Sequence, residues 1–423
     1  MEIRVIKKSY REVMSEKPKQ NKKPKRPNIL FRTLLKIVSL PDLLATRFSC
    51  RRTGMEKLPK KQPCLILMNH SSFIDLEIAT SIFYPRPINI VATWDGYIGK
   101  NWLMREIGCI QTKKFTVGPK LLRDMKAALE NRSSVLMFPE AGYTFDGTST
   151  VLPTSIGKCI KLLGVPVVSV ITQGAFHRQP LYNNLIKRKV KVSADVEYLL
   201  SPQEIKEKSA EEINRIVGEK FAFDNFRYQQ EHNIKIDHPR RAEGLNRVLY
   251  KCPACLAEGQ TEGAGTRLKC KACGKEYELT EYGAMRAVNG ETEISHIPDW
   301  YEWERKCVRE EIERGDYRVE RDVDVYIMVD SYHLYDIGSG RLTHGTEGFR
   351  LVSDDGELAF ELGARASYTI NSDFYWYQIA DTVCIGDLSV QYYCFPKGSG
   401  DIVAKLRLAA EELFKLKKEE AAK

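Results

Sequence analysis

The sequence contains no long hydrophobic run. No stretch reaches the ~18 uninterrupted apolar residues of a membrane-spanning helix. The start, Met1 to Arg4, lacks the apolar core of a signal peptide. Without such a signal, 11 cysteines in 423 residues argue against a disulfide framework. We therefore expect a cytoplasmic protein, in contact with membranes at most peripherally.

The composition is that of a globular protein with a moderately basic surface. Hydrophobic residues make up 43% of the chain and charged residues 29%, so a real core is expected. The length allows two or three domains. A net charge of +9 suits an anionic partner such as a membrane surface, a nucleic acid or a nucleotide-bearing donor.

A histidine and an aspartate, His70 and Asp75, follow the apolar run 64–68. A buried strand ending there brings the imidazole to the carboxyl edge of a sheet, where open α/β folds bind ligands. The carboxylate can accept the other ring N–H, fix the tautomer and make the histidine a general base. The structural alternative is that Ser72 to Asp75, an S-x-x-D pattern, is a helix capping box.

Three further blocks follow in order, namely Gly108 to Lys114, Phe138 to Gly142 and Gly164 to Val170. The order and spacing of the four blocks resemble the glycerolipid acyltransferase superfamily, which includes bacterial 1-acylglycerol-3-phosphate acyltransferases. The blocks of that family read NH-x4-D, G-x-I-F-x-x-R, FPEGTRS and a VPVVPV-like strand. The lead-in Gly54 to Pro59 is similar too, and the resemblance covers about residues 28–220.

The resemblance implies direct acyl transfer from acyl-CoA or acyl carrier protein to the free hydroxyl of a lysophospholipid. The simplest acceptor is lysophosphatidic acid, which would give phosphatidic acid. His70 would deprotonate the acceptor and Asp75 would hold His70. Backbone amides near the His70 turn or near Glu140 would stabilise the oxyanion. Glu140 and Gly142 are implied to contact the acceptor.

The chain departs from the family pattern at three positions. Ala141 stands where the family has glycine, and Tyr143 and Lys114 stand where it has arginines that help to hold the phosphate. Lysine binds phosphate as a point charge rather than through a bidentate fork. Lys113 and Lys114 are therefore the predicted phosphate contacts, although they can also be a solvated pair. A different hydroxyl acceptor stays open.

The segment around these blocks predicts an α/β sandwich. Apolar runs at 64–68, 88–92, 134–138 and 166–171 alternate with helical patterns at 72–83, 118–131 and 154–163. Residues 189–200 alternate as a half-exposed edge strand, and a helix follows to about residue 221.

Four cysteines form two C-x2-C knuckles, Cys252 with Cys255 and Cys270 with Cys273. Two such knuckles can supply four thiolates to one tetrahedral Zn²⁺, which leaves no open position for catalysis. The pattern predicts a structural zinc ribbon, with dithiol redox chemistry as the alternative. The intervening loop lacks interleaved aromatic and basic residues, so we expect no nucleic-acid partner.

The N-terminal residues predict contact with a membrane. Residues 1–27 are polar and basic and are expected to be a mobile arm. Residues 28–40 form an amphipathic helix that Pro41 is expected to end. Beside the basic arm, this helix predicts an interfacial anchor on anionic lipid, and the alternative is a helix packed on the core.

The C-terminal residues change to a period of two. About seven strands, with a turn expected at 337–340, and one helix over 401–418 resemble a pleckstrin-homology-like barrel capped by a helix. The aromatic run 374–377 favours a core strand over a ligand face.

The expected units are an arm (1–27), the α/β domain (28–242), the ribbon (243–282), a helical linker (283–315) and the barrel (316–423). A non-catalytic lipid-binding scaffold is the rival function.

Overall fold

The computed structural model describes residues 3–19, 23–114, 118–140, 142–398 and 400–422. Short 3-10 helices lie at Met55–Lys57, Trp94–Tyr97, Leu181–Asn183 and Leu245–Arg247. The first part of the chain contains β1 (Val5–Lys7), α1 (Tyr10–Ser15), α2 (Ile29–Ala45), β2 (Ser49–Thr53), β3 (Leu65–Met68), α3 (Ile74–Ile82), β4 (Ile88–Thr93), α4 (Asn101–Glu106), β5 (Ile110–Thr112), α5 (Pro119–Glu130), β6 (Ser134–Met137), α6 (Ile156–Leu163), β7 (Val167–Gln173), α7 (Ala175–Arg178), β8 (Ser193–Leu200), α8 (Pro202–Glu207), α9 (Ala210–Lys220) and α10 (Asn225–Glu231).

The remaining elements belong to two antiparallel sheets and two long helices. They are β9 (Thr261–Ala264), β10 (Arg267–Cys270), β11 (Glu276–Leu279), β12 (Met285–Ala287), α11 (Ile297–Arg314), β13 (Val319–Met328), β14 (Leu334–Gly345), β15 (Gly348–Ser353), β16 (Ala359–Gly363), β17 (Asn371–Trp376), β18 (Ala380–Gly386), β19 (Gln391–Pro396) and α12 (Val403–Ala422).

The first sheet has seven strands in the order β2-β8-β7-β3-β6-β4-β5. Its strands pair in parallel except for β7 with β8. Strand β3 is buried on both faces, which explains its unbroken apolar sequence. Ile66 packs with α3 on one face, and Leu65 packs with α5, α6 and α9 on the other. The predicted α/β sandwich is confirmed.

Strand β8 is not the edge strand that its alternation predicted. It lies between β7 and β2, and β2 pairs with it in parallel from Ser49 to Thr53. The sequence of β2 is polar and its residues are mostly exposed, so it carries no hydrophobic strand signal. The half-exposed pattern of β8 therefore arises from its exposed sheet face and not from an unpaired edge.

Helix α2 continues through Pro41 to Ala45, so the proline does not end it as predicted. A proline inside a helix removes the hydrogen bond to the carbonyl four residues earlier. That carbonyl belongs to Ile37, which is exposed, so water can replace the lost donor. Among the described residues, each helix is too short or too polar to cross a bilayer.

The N-terminal residues 3–16 do not form the mobile arm that was predicted. Strand β1 pairs in parallel with β14, and Val5 lies opposite Leu334. A capping box at Ser9 and Glu12 starts α1, and the Val13 side chain is completely buried. The prediction relied on the basic run at 17–27 and overlooked the few apolar residues that precede it.

The four patterned cysteines lie at one end of a small antiparallel sheet in the order β12-β11-β10-β9. The other part of this sheet packs into a larger core. The Tyr277 ring meets the Trp300 ring of α11 edge-on with 5.0 Å between centroids. The two side chains belong to one buried cluster that continues into the last sheet.

The last sheet joins seven consecutive strands in the order β16-β15-β14-β13-β19-β18-β17, and β1 pairs with β14 outside this path. The predicted seven strands and closing helix are present. Within the described residues the end strands β16 and β17 do not pair, so the predicted barrel is not closed by hydrogen bonds. The expected turn at 337–340 lies inside β14, where the register with β13 shifts between Asp324 and Tyr326 and Gly338 has a φ of +97°.

Candidate active site

His70 and Asp75 lie between β3 and the first turn of α3. His70 Nδ1 is 3.1 Å from Asp75 Oδ2, and the same oxygen accepts the amides of Ser71 (2.7 Å) and Ser72 (3.0 Å). Asp75 is 1% exposed. One carboxylate thus accepts two amides of the turn and orients the imidazole. The alternative capping box is not formed, because Ser72 Oγ has no partner among the described residues and α3 begins without a side-chain cap. With Nδ1 directed at Asp75, Nε2 is the nitrogen that can accept a substrate proton.

Two aromatic rings enclose the imidazole. Phe138 stacks on His70 with 4.0 Å between ring centroids, and Tyr143 stacks on the other side at 3.9 Å. The His70 side chain keeps 20% of its surface exposed. Packing of both ring faces restricts rotation about the side-chain torsions, so the hydrogen bond to Asp75 and the stacking act together to fix the ring.

Glu140 is buried directly behind the His70 turn. Its Oε2 accepts the His70 amide (2.7 Å), and its Oε1 accepts the Thr150 amide (2.9 Å). Burial raises the pKa of Glu140 to about 8. Both carboxyl oxygens are thus engaged by the backbone, and the geometry makes Glu140 a support of the His70 turn rather than the direct acceptor contact that the resemblance implied.

This bonding also limits where an oxyanion can bind. The amides of His70, Ser71 and Ser72 all donate to carboxylates. Oxyanion donors from that turn, one of the two predicted locations, are therefore not available. Of the two predicted locations, only the segment after Glu140 remains.

That segment contains two of the three departures from the family pattern, Ala141 and Tyr143. Ala141 lies outside the described residues. At Gly142, a Cβ atom would meet no other described heavy atom within 4 Å, so this residue borders open space. Tyr143 takes the place of the family's arginine with a ring that packs on His70 and lies 5.6 Å from the Phe73 ring.

Lys114 is buried in an ion pair. Its Nζ is 2.7 Å from Asp95 Oδ2 and 3.2 Å from Asn371 Oδ1 of β17. Burial opposes both charges, but the pairing with Lys114 keeps the pKa of Asp95 below its usual value, and that of Lys114 is raised. The phosphate contact predicted for Lys114 would require this pair to open.

Lys113 is in a different environment from its neighbour. It is half-buried, with its Nζ 4.3 Å from the centre of the Trp94 ring. Burial lowers the pKa of Lys113, and Asp387 partly opposes this effect. Of the two predicted lysines, Lys113 is the one whose ammonium group is not held by a buried carboxylate among the residues that the structure describes.

The C-terminal sheet and α12 contribute contacts that the sequence did not reveal. Arg407 Nη1 donates to the Tyr143 carbonyl (3.1 Å), and its guanidinium lies 4.5 Å from the Phe145 ring centre. Phe145 in turn stacks on Phe374 at 4.2 Å. Nothing in the local sequence links residues about 260 positions apart. The aromatic run at 374–377 was the one available signal, and Phe374 is buried as favoured.

The four patterned cysteines meet at one point. Their sulfur atoms lie within 4.8 Å of one another, with 3.8 Å between Cys252 and Cys273 and 3.7 Å between Cys255 and Cys270. A tetrahedral Zn²⁺ site with bonds of ~2.3 Å has sulfur–sulfur edges of ~3.8 Å. The cluster therefore has the size and donor set of a four-thiolate zinc site.

Comparison with known proteins identifies the segment that carries these residues. The family model described as Acyltransferase matches residues 49–173, which include His70, Asp75 and Glu140. Among solved structures, the chain is similar to the 1-acyl-sn-glycerophosphate (LPA) acyltransferase PlsC from Thermotoga maritima, with 19% identity, 45% of this chain and 76% of that chain covered, and a TM-score of 0.36. No curated protein matches the chain significantly. The family match is the finding that assigns residues 49–173 to an acyltransferase-like α/β domain.

Proposed function

We propose that the protein transfers an acyl group from acyl-CoA or acyl carrier protein to the free hydroxyl of a lysophospholipid, with lysophosphatidic acid as the first acceptor to test. The observation that carries the proposal is the 3.1 Å contact between His70 and Asp75 inside the segment that matches the acyltransferase family. A carboxylate-oriented histidine at the end of a parallel strand suits proton abstraction from an alcohol.

In the proposed mechanism, His70 Nε2 accepts the hydroxyl proton as the acceptor oxygen attacks the thioester carbonyl. Asp75 stabilises the imidazolium that forms, and Glu140 keeps the His70 backbone in place. Amides after Glu140 stabilise the oxyanion. Collapse of the tetrahedral intermediate breaks the carbon–sulfur bond, and the imidazolium returns its proton to the thiolate. Lys113 supplies the positive charge for the acceptor's phosphate.

The proposed acceptor requires contact with a lipid surface, and α2 has the exposed apolar residues for it. Leu30, Val38 and Leu44 are 73%, 66% and 75% exposed. Trp102 of α4 is 68% exposed and packs against Phe31 of the helix. Together with the basic residues at 17–27, this surface suits peripheral binding to anionic lipid.

The cysteine cluster is proposed to hold one structural Zn²⁺. Four thiolates complete a tetrahedral coordination shell, so this metal would take no part in acyl transfer. The C-terminal sheet is proposed to be a pleckstrin-homology-like domain, supported by its seven consecutive antiparallel strands and closing helix.

The test is acyl transfer by the purified full-length protein with acyl-CoA or acylated carrier protein and a panel of lysolipids, with products identified by mass. His70→Ala should reduce turnover by about 10²–10⁴-fold. His232→Ala, which alters an exposed histidine, is the matched control and should be unaffected. Near wild-type turnover by His70→Ala would refute the mechanism. Vesicle binding without any turnover by the wild type would favour the non-catalytic scaffold.

A further inference from the structure

The candidate active site lies along one edge of the first sheet. Strands β3, β6, β4 and β5 are neighbours in that order and run parallel, so the residues that follow them lie along the same edge. His70 follows β3, Tyr143 belongs to the segment after β6, and Lys113 and Lys114 follow β5. The charges along this edge therefore determine which polar head an acceptor can carry.

Tyr143 brings no charge to this edge. Its ring stacks on His70 with 3.9 Å between centroids. Burial first, and then the Asp75 carboxylate, raise the pKa of Tyr143 well above its usual value, so the phenol is uncharged at neutral pH. Arg407 donates to the Tyr143 carbonyl (3.1 Å), and its Nε is 3.4 Å from Glu411 Oε1. The charge of this guanidinium is therefore already offset by a carboxylate.

The charge of Lys114 is offset in the same way. Its Nζ is 2.7 Å from Asp95 Oδ2, which also accepts a hydrogen bond from Trp376 Nε1. A ligand that drew Lys114 away would leave the Asp95 carboxylate buried without its cation, which is costly. Asp373 of β17 adds negative charge beside this pair, because burial raises its pKa to about 7 and it is therefore partly ionised at neutral pH.

Lys113 is the remaining cation of this group. Its Nζ lies 4.3 Å from the centre of the Trp94 ring, so it is held by an aromatic face rather than by a carboxylate. Burial lowers the pKa of Lys113, and Asp387 partly opposes this effect. Together, the residues considered above offer a ligand at most one net positive charge.

This balance distinguishes two classes of lysophospholipid. A phosphate monoester carries a charge of about −1.5 to −2 at pH 7, because its second pKa is near 6. A phosphate diester has no second proton to lose and carries a single negative charge. Lys113 can match that one charge, whereas the second charge of a monoester would have no cation and would lie among carboxylates.

We propose that the acceptor is a lysophospholipid whose phosphate is a diester, with an alcohol such as glycerol attached to it, rather than lysophosphatidic acid. This inference rests on the proposed function and names its acceptor class. Lys113 pairs with the single charge of the diester, and the ion pair between Lys114 and Asp95 stays closed.

The test measures binding to the full-length protein by calorimetry without any acyl donor. The probes are lysophosphatidic acid, lysophosphatidylglycerol and monoacylglycerol with the same short acyl chain, below their micelle concentrations. At pH ~7.5 the diester should bind about tenfold more tightly than the monoester. At pH ~5.5, where the monoester has lost most of its second charge, this preference should fall to about twofold or less. Comparison of two ligands at one pH removes the effect of protein groups that titrate.

Two substitutions change the charge at this edge. Tyr143→Arg adds a cation and should shift the preference towards lysophosphatidic acid by about tenfold, whereas Tyr143→Phe keeps the ring and should leave the preference unchanged. Lys113→Met should weaken binding of both phospholipids by about tenfold and spare monoacylglycerol. Its matched control is Lys126→Met, which removes an exposed charge from α5 and should alter the binding of none of the three probes.

Three results would overturn the inference: binding of lysophosphatidic acid at least as tight as that of the diester near neutral pH, a preference that persists in full at the lower pH, or equal effects of Lys113→Met and Lys126→Met. Acyl-transfer assays with the same probes separate the two proposals. Turnover that favours lysophosphatidic acid would overturn the acceptor class and leave acyl transfer intact. The expected binding preference without turnover of any probe would refute acyl transfer instead.

Discussion

The buried pair between Lys114 and Asp95 gives the sharpest test of the structure. Lys114→Met leaves the Asp95 carboxylate buried beside Trp376 Nε1, its 3.2 Å donor, without the cation 2.7 Å away. Asp95→Asn leaves the Lys114 ammonium group buried without its carboxylate partner. Removing one partner of a buried ion pair costs ~3–5 kcal/mol, because the other charge stays desolvated. Each substitution should lower the free energy of unfolding by about this amount.

The double substitution should recover most of the loss. Replacing both members of a buried pair by uncharged groups of similar volume is often neutral or stabilising by ~1–4 kcal/mol. The double mutant is therefore expected to be within about 1 kcal/mol of the wild type, which gives a large coupling energy. Urea unfolding followed by tryptophan fluorescence measures all four proteins.

Lys113→Met is the control, because that lysine is half-buried and its cation–π contact with Trp94 is worth only ~0.5–1 kcal/mol. If Lys114→Met lowers the free energy of unfolding no more than Lys113→Met does, the buried ion pair between Lys114 and Asp95 is refuted. If it raises the KM for lysophosphatidic acid without loss of stability, Lys114 is the phosphate contact that its sequence position predicted.

The ion pair between Lys114 and Asp95 should stabilise the fold only within a limited range of pH. The pKa of Asp95 is lowered, so its contribution is present above its unfolded value of 3.8 and is lost as the pH falls through the folded pKa. The pKa of Lys114 is raised, so its contribution is present below 10.5 and is lost as the pH rises through the folded pKa. The coupling energy should therefore be present throughout this range, with a change near pH 7, because burial raises the pKa of the neighbouring Asp373 to about 7.

Three further outcomes are expected. Glu140 has a folded pKa of about 8 against 4.5 in the unfolded chain, so wild-type stability should fall as the pH rises between these values, and Glu140→Gln should flatten that slope in urea titrations. Metal analysis should find one Zn²⁺ per chain, and Cys270→Ser should lower both the zinc content and the melting temperature, whereas an unchanged zinc content would place the metal elsewhere. Val38→Glu on the exposed face of α2 should weaken binding to anionic vesicles, and equal partitioning would show that the helix makes no lipid contact.

The sequence predicted those parts of the fold whose signals are local. Strand β3 reads as a buried strand because both of its faces are covered, and the His70 and Asp75 contact needs only five residues of chain. The four cysteines meet because each knuckle fixes two sulfurs. In each case the residues that determine the geometry are neighbours or repeat at a regular spacing.

The remaining features depend on contacts between distant segments. The same Lys-Lys sequence contains one half-buried and one buried side chain, and the difference comes from β17 and Asp95. Arg407 reaches the Tyr143 carbonyl from the last helix, and no periodicity reports such a contact. Strand β2 was not predicted, because its sequence is polar and only its pairing with β8 makes it a strand.

The pairing of β1 with β14 has a consequence for synthesis in the cell. Val5 and its partner Leu334 are separated by roughly 330 residues, so β1 is synthesised long before the strand with which it pairs. At translation rates of ~5–20 residues per second, this interval lasts about 15–65 s. During that time the α/β domain can fold while α1 and the surface that will meet α12 stay exposed on the ribosome. The nascent chain should therefore be cleavable near its N-terminus until β14 has emerged, which pulse proteolysis of arrested chains can measure.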